Sequence, residues 1–590
     1  MDSEKTDIIL VNPSGFHNLI YNFFNLGLLS SATYLKDNGF SVFCLDLKWF
    51  FMPPKEDLIN FILSKKPIAV GFYTIADNMF MVSEAAGLIK KRAPETKIIL
   101  GGPEATVKDS ELLKESIYDF AVRNEGEITL LELMKNLKNS SVNINDIKGI
   151  TYKKEGRIIK NPDRDFIKDL DALPSPDHDL LGGPGYVYPL VTGRGCPYNC
   201  IFCYEKATGK KFRYRSVEKT FEEIINGLEK YKLKAFSIFD DTFVSDVKRA
   251  KDILRRLIKF RNEKKADFIF FCEARADILF QDKELAELLK EEGLKRLQIG
   301  VESGNQGILN AFKKGITIEQ IKRSIKLVYE AGIPSVVGNF ILGAPGESKD
   351  TIRKSIEFAK ELMDIAPGVF EATSSFLVPY PGTEIEKKYE KYKLKPLNTG
   401  FLTGSTMQIP HFETEFLNKA ELIEYKIKFD SSVFEYMKSK ISSVKEEHIS
   451  EHIFLAKNHR LSTNYYLNFY SKMPVLESCN NFMISGRFFE LSEINNDKWE
   501  LYHPFRVIED ISYDEKLNIR LQGSREEFII EDDLEKFIFI LSSGRNMMTD
   551  IAQLVKKRFS TEKTAEQIFL EILLPFYKKF VKSKYIIFYL

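Results

Sequence analysis

At 590 residues the chain is too long for one hydrophobic core, so roughly three to five domains are expected. Lys plus Arg at 85 against Asp plus Glu at 84 leaves a formal charge of +1, which excludes a global field favouring nucleic acid or an anionic membrane. The 44% hydrophobic and 29% charged fractions are those of an ordinary folded protein and exclude disordered and fibrous classes.

In chain order, the start MDSEKTDIILVNP carries only a short apolar run, and no stretch of eighteen apolar residues occurs. Neither a secretory signal nor a membrane span is expected, and the reading is a cytoplasmic protein. Within residues 1–139, short apolar runs at 8–11, 42–45, 68–72, 98–100 and 120–122 alternate with amphipathic stretches. That pattern predicts buried parallel strands in a doubly wound, Rossmann-like α/β domain. Residues 140–188 are polar and rich in Gly and Pro, and read as a connector with a hairpin near 149–159. From 189 to 395 the alternation resumes, with strands predicted at 189–192, 235–239, 268–272, 296–299, 336–342 and 371–377. Six βα units describe a partial TIM-like (β/α)6 barrel, open along one side. Residues 396–481 carry helical patterns without a strand signal and read as a helical accessory domain. In residues 482–590, alternating runs precede helices at 532–541, 548–558 and 564–582, predicting a small α+β module. No internal repeat or low-complexity tract appears.

Six cysteines are too few for a disulfide framework, yet Cys196, Cys200 and Cys203 fall within eight positions. They lie on a Gly/Pro/Asn loop just after the first barrel strand, the end of the barrel where such folds place their chemistry. Three thiolates on one tight loop suffice for three irons of a cubane and leave the fourth open. An electron-carrying ferredoxin or a zinc site needs a fourth ligand nearby, and the next cysteine is Cys272, inside a strand pattern.

The C-x3-C-x2-C spacing, with Phe202 before the last cysteine, resembles the signature of the radical S-adenosylmethionine family. Further segments resemble that family in order: Phe239-Asp240-Asp241-Thr242-Phe243, Arg275, Gly300-Val301-Glu302-Ser303-Gly304, the run GNFILGAPGE from Gly338 to Glu347, and Pro379-Tyr380-Pro381-Gly382-Thr383. The resemblance implies a four-iron four-sulfur cluster on the three cysteines. It also implies S-adenosylmethionine contacts from Phe202, Asp240, Asp241, Arg275, Glu302, Ser303, Asn339 and Gly343. Asp240 and Glu302 then offer carboxylates to ribose hydroxyls or the ammonium, and Arg275 pairs with the methionine carboxylate.

In the first domain, Gly27-Leu28-Leu29, the run from Gly101 to Thr106 and the run from Arg123 to Glu127 resemble the cobalamin-binding domain of one large subgroup of that family. The resemblance implies a cradle from Gly71, Tyr73, Thr74, Gly101, Gly102 and Glu125. The Asp-x-His-x-x-Gly motif that supplies a histidine to cobalt is absent. His17 reads as a loop residue, leaving the lower cobalt face without histidine. A methylthiotransferase would carry a second cysteine triplet here, and this domain has only Cys44. Residues from about 503 onward resemble a winged-helix peptide-recognition element, which binds leader peptides as an added edge strand. The competing reading is a winged helix that packs on the barrel or mediates dimerisation. His448 and His452, one helical turn apart, read as a solvated face rather than a metal pair.

The expected function is methylation of an unactivated carbon of a peptide or other natural product, by a 5′-deoxyadenosyl radical and methylcobalamin. The expected partners are a small-molecule or peptide substrate and a flavodoxin- or ferredoxin-type reductant, with no nucleic acid and no membrane. An oxygen-labile cluster implies an anaerobic setting. The alternatives are a radical cyclase or rearrangement enzyme without net methyl transfer, and a non-catalytic iron-sulfur peptide-binding or sensor protein.

Overall fold

The computed structural model describes residues 6–13, 25–46, 55–185, 187–208, 211–397, 406–459, 463, 488–489, 499, 503–506, 511–513, 519–522, 527–542, 548–581 and 586–589. The chain divides into two units, Met1–His452 and Ile453–Leu590.

The first unit opens with a seven-stranded sheet. Its strands are β1 (Ile8–Asn12), β2 (Val42–Asp46), β3 (Ala69–Tyr73), β4 (Lys97–Gly101), β5 (Phe120–Val122), β6 (Ile150–Lys154) and β7 (Arg157–Lys160), in the order β2-β1-β3-β4-β5-β6-β7. The first five run parallel. Alternation sends successive side chains to opposite faces. Ile8, Leu10 and Ile99 therefore join a core with helices Leu26–Asp37 and Gly126–Asn139. Ile9, Val11, Ile98 and Leu100 join another with helices Lys55–Ser64 and Met79–Arg92. Both faces are covered, which is why the strands read as continuous apolar runs rather than alternating ones.

One correction concerns the connector. Its hairpin, β6 and β7, pairs antiparallel with β5 and lengthens the first sheet to residue 160. Tyr152 stacks on Phe120 at 6.5 Å. The fully buried Arg123 donates to Asp163, Thr151 and the Asn161 carbonyl, tying hairpin to sheet.

The second sheet of this unit has six parallel strands in the order β15-β14-β13-β12-β11-β8. They are β8 (Tyr188–Leu190), β11 (Ala235–Ile238), β12 (Ile269–Ala274), β13 (Leu294–Glu302), β14 (Val336–Leu342) and β15 (Phe370–Phe376). A short ladder of β9 (Gly193–Arg194) with β10 (Arg213–Tyr214) follows β8. Each crossover helix starts at a side-chain cap: Ser216, Asp246, Asp282, Thr317 and Ser348 each accept a backbone N–H three residues on.

The helical stretch after residue 396 belongs partly to this barrel. Helix Lys419–Lys440 packs on β14 and β15, with Phe429 against Phe340 at 5.1 Å and Lys426 donating to Ser374. Phe412–Glu413 pairs antiparallel with Lys395–Pro396, although the sequence carries no strand signal there. The solvated reading of His448 and His452 is also overturned. His452 is buried and its ring bonds the Gly368 carbonyl at 2.7 Å, while His448 packs beside Tyr329 at 5.9 Å.

In the second unit, strands Phe488–Phe489, Ile586–Tyr589 and His503–Arg506 form one antiparallel sheet, with Ile586–Tyr589 in the middle. Ile511–Tyr513, Ile519–Gln522 and Glu527–Ile530 form another. Helices Asp533–Leu541 and Met548–Arg558 follow, then a run from Ala565–Ile568 through a π-turn into Leu574–Val581. Trp499 stacks on Phe569 at 4.4 Å inside a core with Ile538, Val555 and Tyr577. Among the described residues no helix is long and apolar enough to cross a membrane.

Candidate cluster and cofactor site

The β9–β10 ladder closes the base of the loop that carries the three cysteines. Cys200 is buried, Cys196 and Cys203 are half-buried, and all three are free thiols. The loop is braced from behind. Ile201 N–H donates to the Phe312 carbonyl at 3.1 Å, Ile385 N–H donates to the Ile201 carbonyl at 3.1 Å, and Phe202 meets Phe312 edge-on at 4.9 Å. The Arg275 guanidinium lies 3.6 Å over the Tyr198 ring.

Burial pushes the Cys203 thiol up to about 11, and Cys200, Cys196 and Asp241 push it further the same way. Burial likewise raises Cys196, beside Asp241 and Cys200. Thiols crowded like this resist ionising unless a cation replaces their protons, as iron does. Among the described residues no His, Cys, Asp or Glu trio forms a single-ion site. A cubane does not need one, since each of the three thiolates would bind a different iron. The loop therefore fits the cluster.

The strand-end residues divide. Asp241 is exposed and electrostatically close to Cys196 and Cys203. Asn339 is half-buried and its Oδ1 accepts from Thr373 at 2.8 Å. Gly343 turns at φ +84°, and its N–H and that of Ala344 are taken by the buried Glu347 carboxylate at 2.5 and 3.1 Å. Glu302 is buried with φ +62°, and its Oε1 receives the Lys314 ammonium at 2.5 Å.

The remaining assigned residues serve the scaffold. Asp240 is buried with its two oxygens taken by the Thr192 N–H and hydroxyl, each at 2.5 Å, so it latches β8 to β11 instead of facing a ribose. The Arg275 fork is occupied by Asp277 at 2.9 and 3.1 Å and by the Lys314 carbonyl at 2.7 Å, so it braces the cysteine loop. Ser303 is fully buried against Ser355 at 3.1 Å, and Phe202 packs on Phe312 rather than on a cofactor.

Sequence reasoning missed Lys314, which carries no local signal, and Glu273 with Gln298. By register Glu273 pairs with Gln298, and Gln298 Nε2 donates to Glu273 Oε1 at 3.0 Å. Burial pushes Glu273 up to about 7, with Asp241 adding and Lys314 opposing. A lone Glu in the apolar run FIFFCEA was the signal that could have found it.

In the first domain the strand order reverses between β1 and β3, where sheets of this kind hold ligands outside the strands' carboxyl ends. At the carboxyl end of β4 a Cβ on Gly101 would meet nothing within 4 Å, so that strand end faces open space, as a cobalamin bound there would need. Tyr73 is half-buried beside it, and a Cβ on Gly102, at φ +100°, would strike the Tyr73 ring at 2.9 Å. Thr74 and Gly71 are inward. Thr74 binds the Gly101 carbonyl at 2.9 Å and receives Ala105 N–H at 3.1 Å, and Gly71 makes room for Leu10 at 2.6 Å. Cys44 is buried in β2 with its thiol pushed up to about 12 by burial, as a core residue would be. His17 and Cys479 lie outside the described residues.

The Glu125 carboxylate, expected in the cradle, is engaged within the protein. It is buried and accepts from Arg194 at 3.0 Å, from Arg213 at 2.9 and 3.0 Å and from Ile167 N–H at 2.7 Å. Glu127 takes the other Arg194 nitrogen at 2.6 Å and Ser30 at 2.7 Å. Burial works against its charge, yet Arg194 and Ser30 together hold the carboxyl below its ordinary range.

The model of the radical SAM superfamily matches residues 190–359 and that of the B12 binding domain residues 17–134. An uncharacterized methyltransferase of Pyrococcus horikoshii is 30% identical over 375 residues, covering 62% of this chain and 79% of that protein. The anaerobic magnesium-protoporphyrin IX monomethyl ester cyclase of Rubrivivax gelatinosus is 26% identical over 389 residues, 61% of this chain and 68% of its own. Among solved structures, the cobalamin-dependent S-adenosylmethionine radical enzyme OxsB, with aqua-cobalamin and S-adenosylmethionine bound, superposes with TM-score 0.59 at 20% identity, over 80% of this chain and 75% of that one.

Proposed function

Because the chain belongs to the cobalamin-dependent radical S-adenosylmethionine family, whose four-iron four-sulfur cluster, S-adenosylmethionine and cobalamin it uses, we propose that it methylates an unactivated carbon of a peptide or other natural product. The observation that carries this reading is the methyltransferase relative at 30% identity, which this chain covers over 79% of its length.

When bound, the cluster with S-adenosylmethionine supplies one-electron carbon–sulfur cleavage, and cobalamin supplies a methyl carrier. The chain's own residues hold and shield. Cys196, Cys200 and Cys203 hold the cluster, and Phe312 and Ile385 brace their loop. Glu302, fixed by Lys314, offers its remaining lone pairs to hydroxyl groups at the barrel mouth. Burial raises the Glu273 carboxyl to about 7, so near neutral pH it is poised to exchange a proton with a polar substrate group. The electron comes from a flavodoxin- or ferredoxin-type reductant.

The cyclase relative at 26% identity favours a second reading, ring formation without net methyl transfer. S-adenosylmethionine labelled in its methyl group separates the two: label in the product supports methylation, and an unlabelled cyclised product overturns it. A peptide substrate is favoured by the second unit, whose three-stranded sheet Ile511–Tyr513, Ile519–Gln522 and Glu527–Ile530 has edges of the kind an extended leader can extend. A chain ended before His503 that still turns over its substrate as well as the full chain would sink the peptide assignment.

A further inference from the structure

The cysteine loop is fastened to the first domain on both flanks. At its base Arg194 and Arg213 are opposed in the β9–β10 ladder, and both reach the single carboxylate of Glu125, Arg194 with one nitrogen at 3.0 Å and Arg213 with its fork at 2.9 and 3.0 Å. The second nitrogen of Arg194 reaches Glu127 at 2.6 Å, and Glu127 is itself held by Ser30 at 2.7 Å. On the far flank Tyr204, directly after Cys203, donates its hydroxyl to the Pro103 carbonyl, in the turn that follows Gly101 and Gly102.

Glu125 and Glu127 are buried, and both arginines are largely so. A buried ion pair is a poor way to glue two surfaces, because apolar side chains of similar volume hold them as well or better. What paired forks add is direction and separation, fixed by several hydrogen bonds at once. The acidic ends sit at the start of helix Gly126–Asn139, whose N-terminus favours them and keeps them in place. The Arg194, Arg213 and Tyr204 arms of this network start from the stem or flank of the one loop that carries the cysteines, while Ser30 and the Ile167 N–H hold the acidic ends from the other side.

We propose that Glu125 and Glu127, acting through Arg194 and Arg213, are positioning residues that set the distance between the iron-sulfur cluster and the cobalt of cobalamin. They touch neither group. They register the loop that holds one against the domain that holds the other, so that a substrate carbon fits between them. The proposal needs only the family's cofactors and holds whether the product is methylated or cyclised.

The test uses the reconstituted full chain with hydroxocobalamin bound. The cluster and the cobalamin are each reduced to their paramagnetic one-electron states. A nearby cluster spin speeds relaxation of the cobalt spin, and the effect falls steeply with distance. In E125Q/E127Q and in R194K, which keeps the charge but loses the fork, the relaxation enhancement should fall severalfold. Iron content and bound cobalamin should match the parent. Wild-type relaxation in these variants with both cofactors bound would overturn the proposal. If E125Q/E127Q does not fold, R194K and R213M decide alone, and wild-type relaxation in both overturns it equally.

Discussion

Gly300→Ala tests the tightest spot beside the cluster. A Cβ built on Gly300 lies 2.3 Å from Glu302 Oε1 and 2.6 Å from Lys314 Nζ, while those two atoms are 2.5 Å apart. Neither partner can retreat freely. Glu302 is held at φ +62° where the β13–β14 register shifts, and Lys314 is buried. If both side chains bend aside, overpacking costs about 1–3 kcal/mol. If the pair parts and one buried charge is stranded, the loss rises to about 3–5 kcal/mol. Equilibrium urea unfolding of the anaerobically prepared protein reads the change as a lower midpoint for the transition that includes the barrel. Release of 5′-deoxyadenosine should fall with it, because Glu302 is displaced. Gly87→Ala is the control: it lies in helix Met79–Arg92 with nothing within 4 Å of its Cβ, and should gain about 0.5–1 kcal/mol. An unchanged midpoint and unchanged cleavage in Gly300→Ala would refute the packing argument. So would an equal loss in Gly87→Ala.

Replacing Cys196, Cys200 and Cys203 together by Ala should abolish the cluster's absorption and reductive cleavage of S-adenosylmethionine, whereas Cys44→Ser and Cys272→Ser, both at buried core thiols, should keep the cluster. A triple variant that retained either property would contradict the assignment. Glu292→Gln should flatten the dependence of stability on pH. Glu292 is fully buried, Arg261 approaches only to 3.7 Å, and burial pushes its carboxyl up to about 8 against that attraction. The native state therefore holds an extra proton between the ordinary carboxyl range and about 8, and stability is lost as pH rises through that window. The variant should equal the parent near pH 5 and exceed it by up to a few kcal/mol near pH 9. Parallel unfolding profiles for the two proteins across that range would show the reasoning to be wrong.

The architecture was legible because burial on both faces of a parallel sheet leaves a direct trace in sequence. All eleven apolar runs assigned to the two parallel sheets became strands, within two or three residues at their ends. What escaped depends on contacts distant along the chain. The hairpin at Ile150–Lys154 and Arg157–Lys160 was legible in the sequence near 149–159, but its place in the first sheet was not, because Arg123 and Tyr152 are what tie it to β5. His452 looks solvated on its helix, and its ring bonds the Gly368 carbonyl, 84 positions away, which the helix pattern does not reveal. The cysteine loop was the clearest part of the site, since its ligands are local. The partners of Asp240 and Glu125 were not legible for the opposite reason. Those partners lie 48 positions away at Thr192, and 69 and 88 away at Arg194 and Arg213. Strand periodicity marks which residues reach a strand's carboxyl end, but not which neighbour claims them.

That these polar residues are claimed follows from the barrel being open. Six strands in a row leave β8 and β15 as edges, so the ring of backbone hydrogen bonds that holds the mouth of a closed barrel is missing here. Side chains supply ties across the mouth. Thr192 with Asp240 joins β8 to β11, Glu273 with Gln298 joins β12 to β13, and Asn339 with Thr373 joins β14 to β15. Arg275 to the Lys314 carbonyl links the end of β12 to the segment behind the cysteines. Buried polar groups must be paired in any case, so spending them on neighbouring units braces the mouth at little added cost. The same logic explains why Asp241, exposed and one position past the Asp240 latch, is the carboxylate beside the cysteines that remains on the solvent side. The latch fixes the backbone from which Asp241 projects. Asp240→Asn should therefore disturb the cysteine site through geometry, because its carboxylate holds Thr192 at the foot of the cysteine loop.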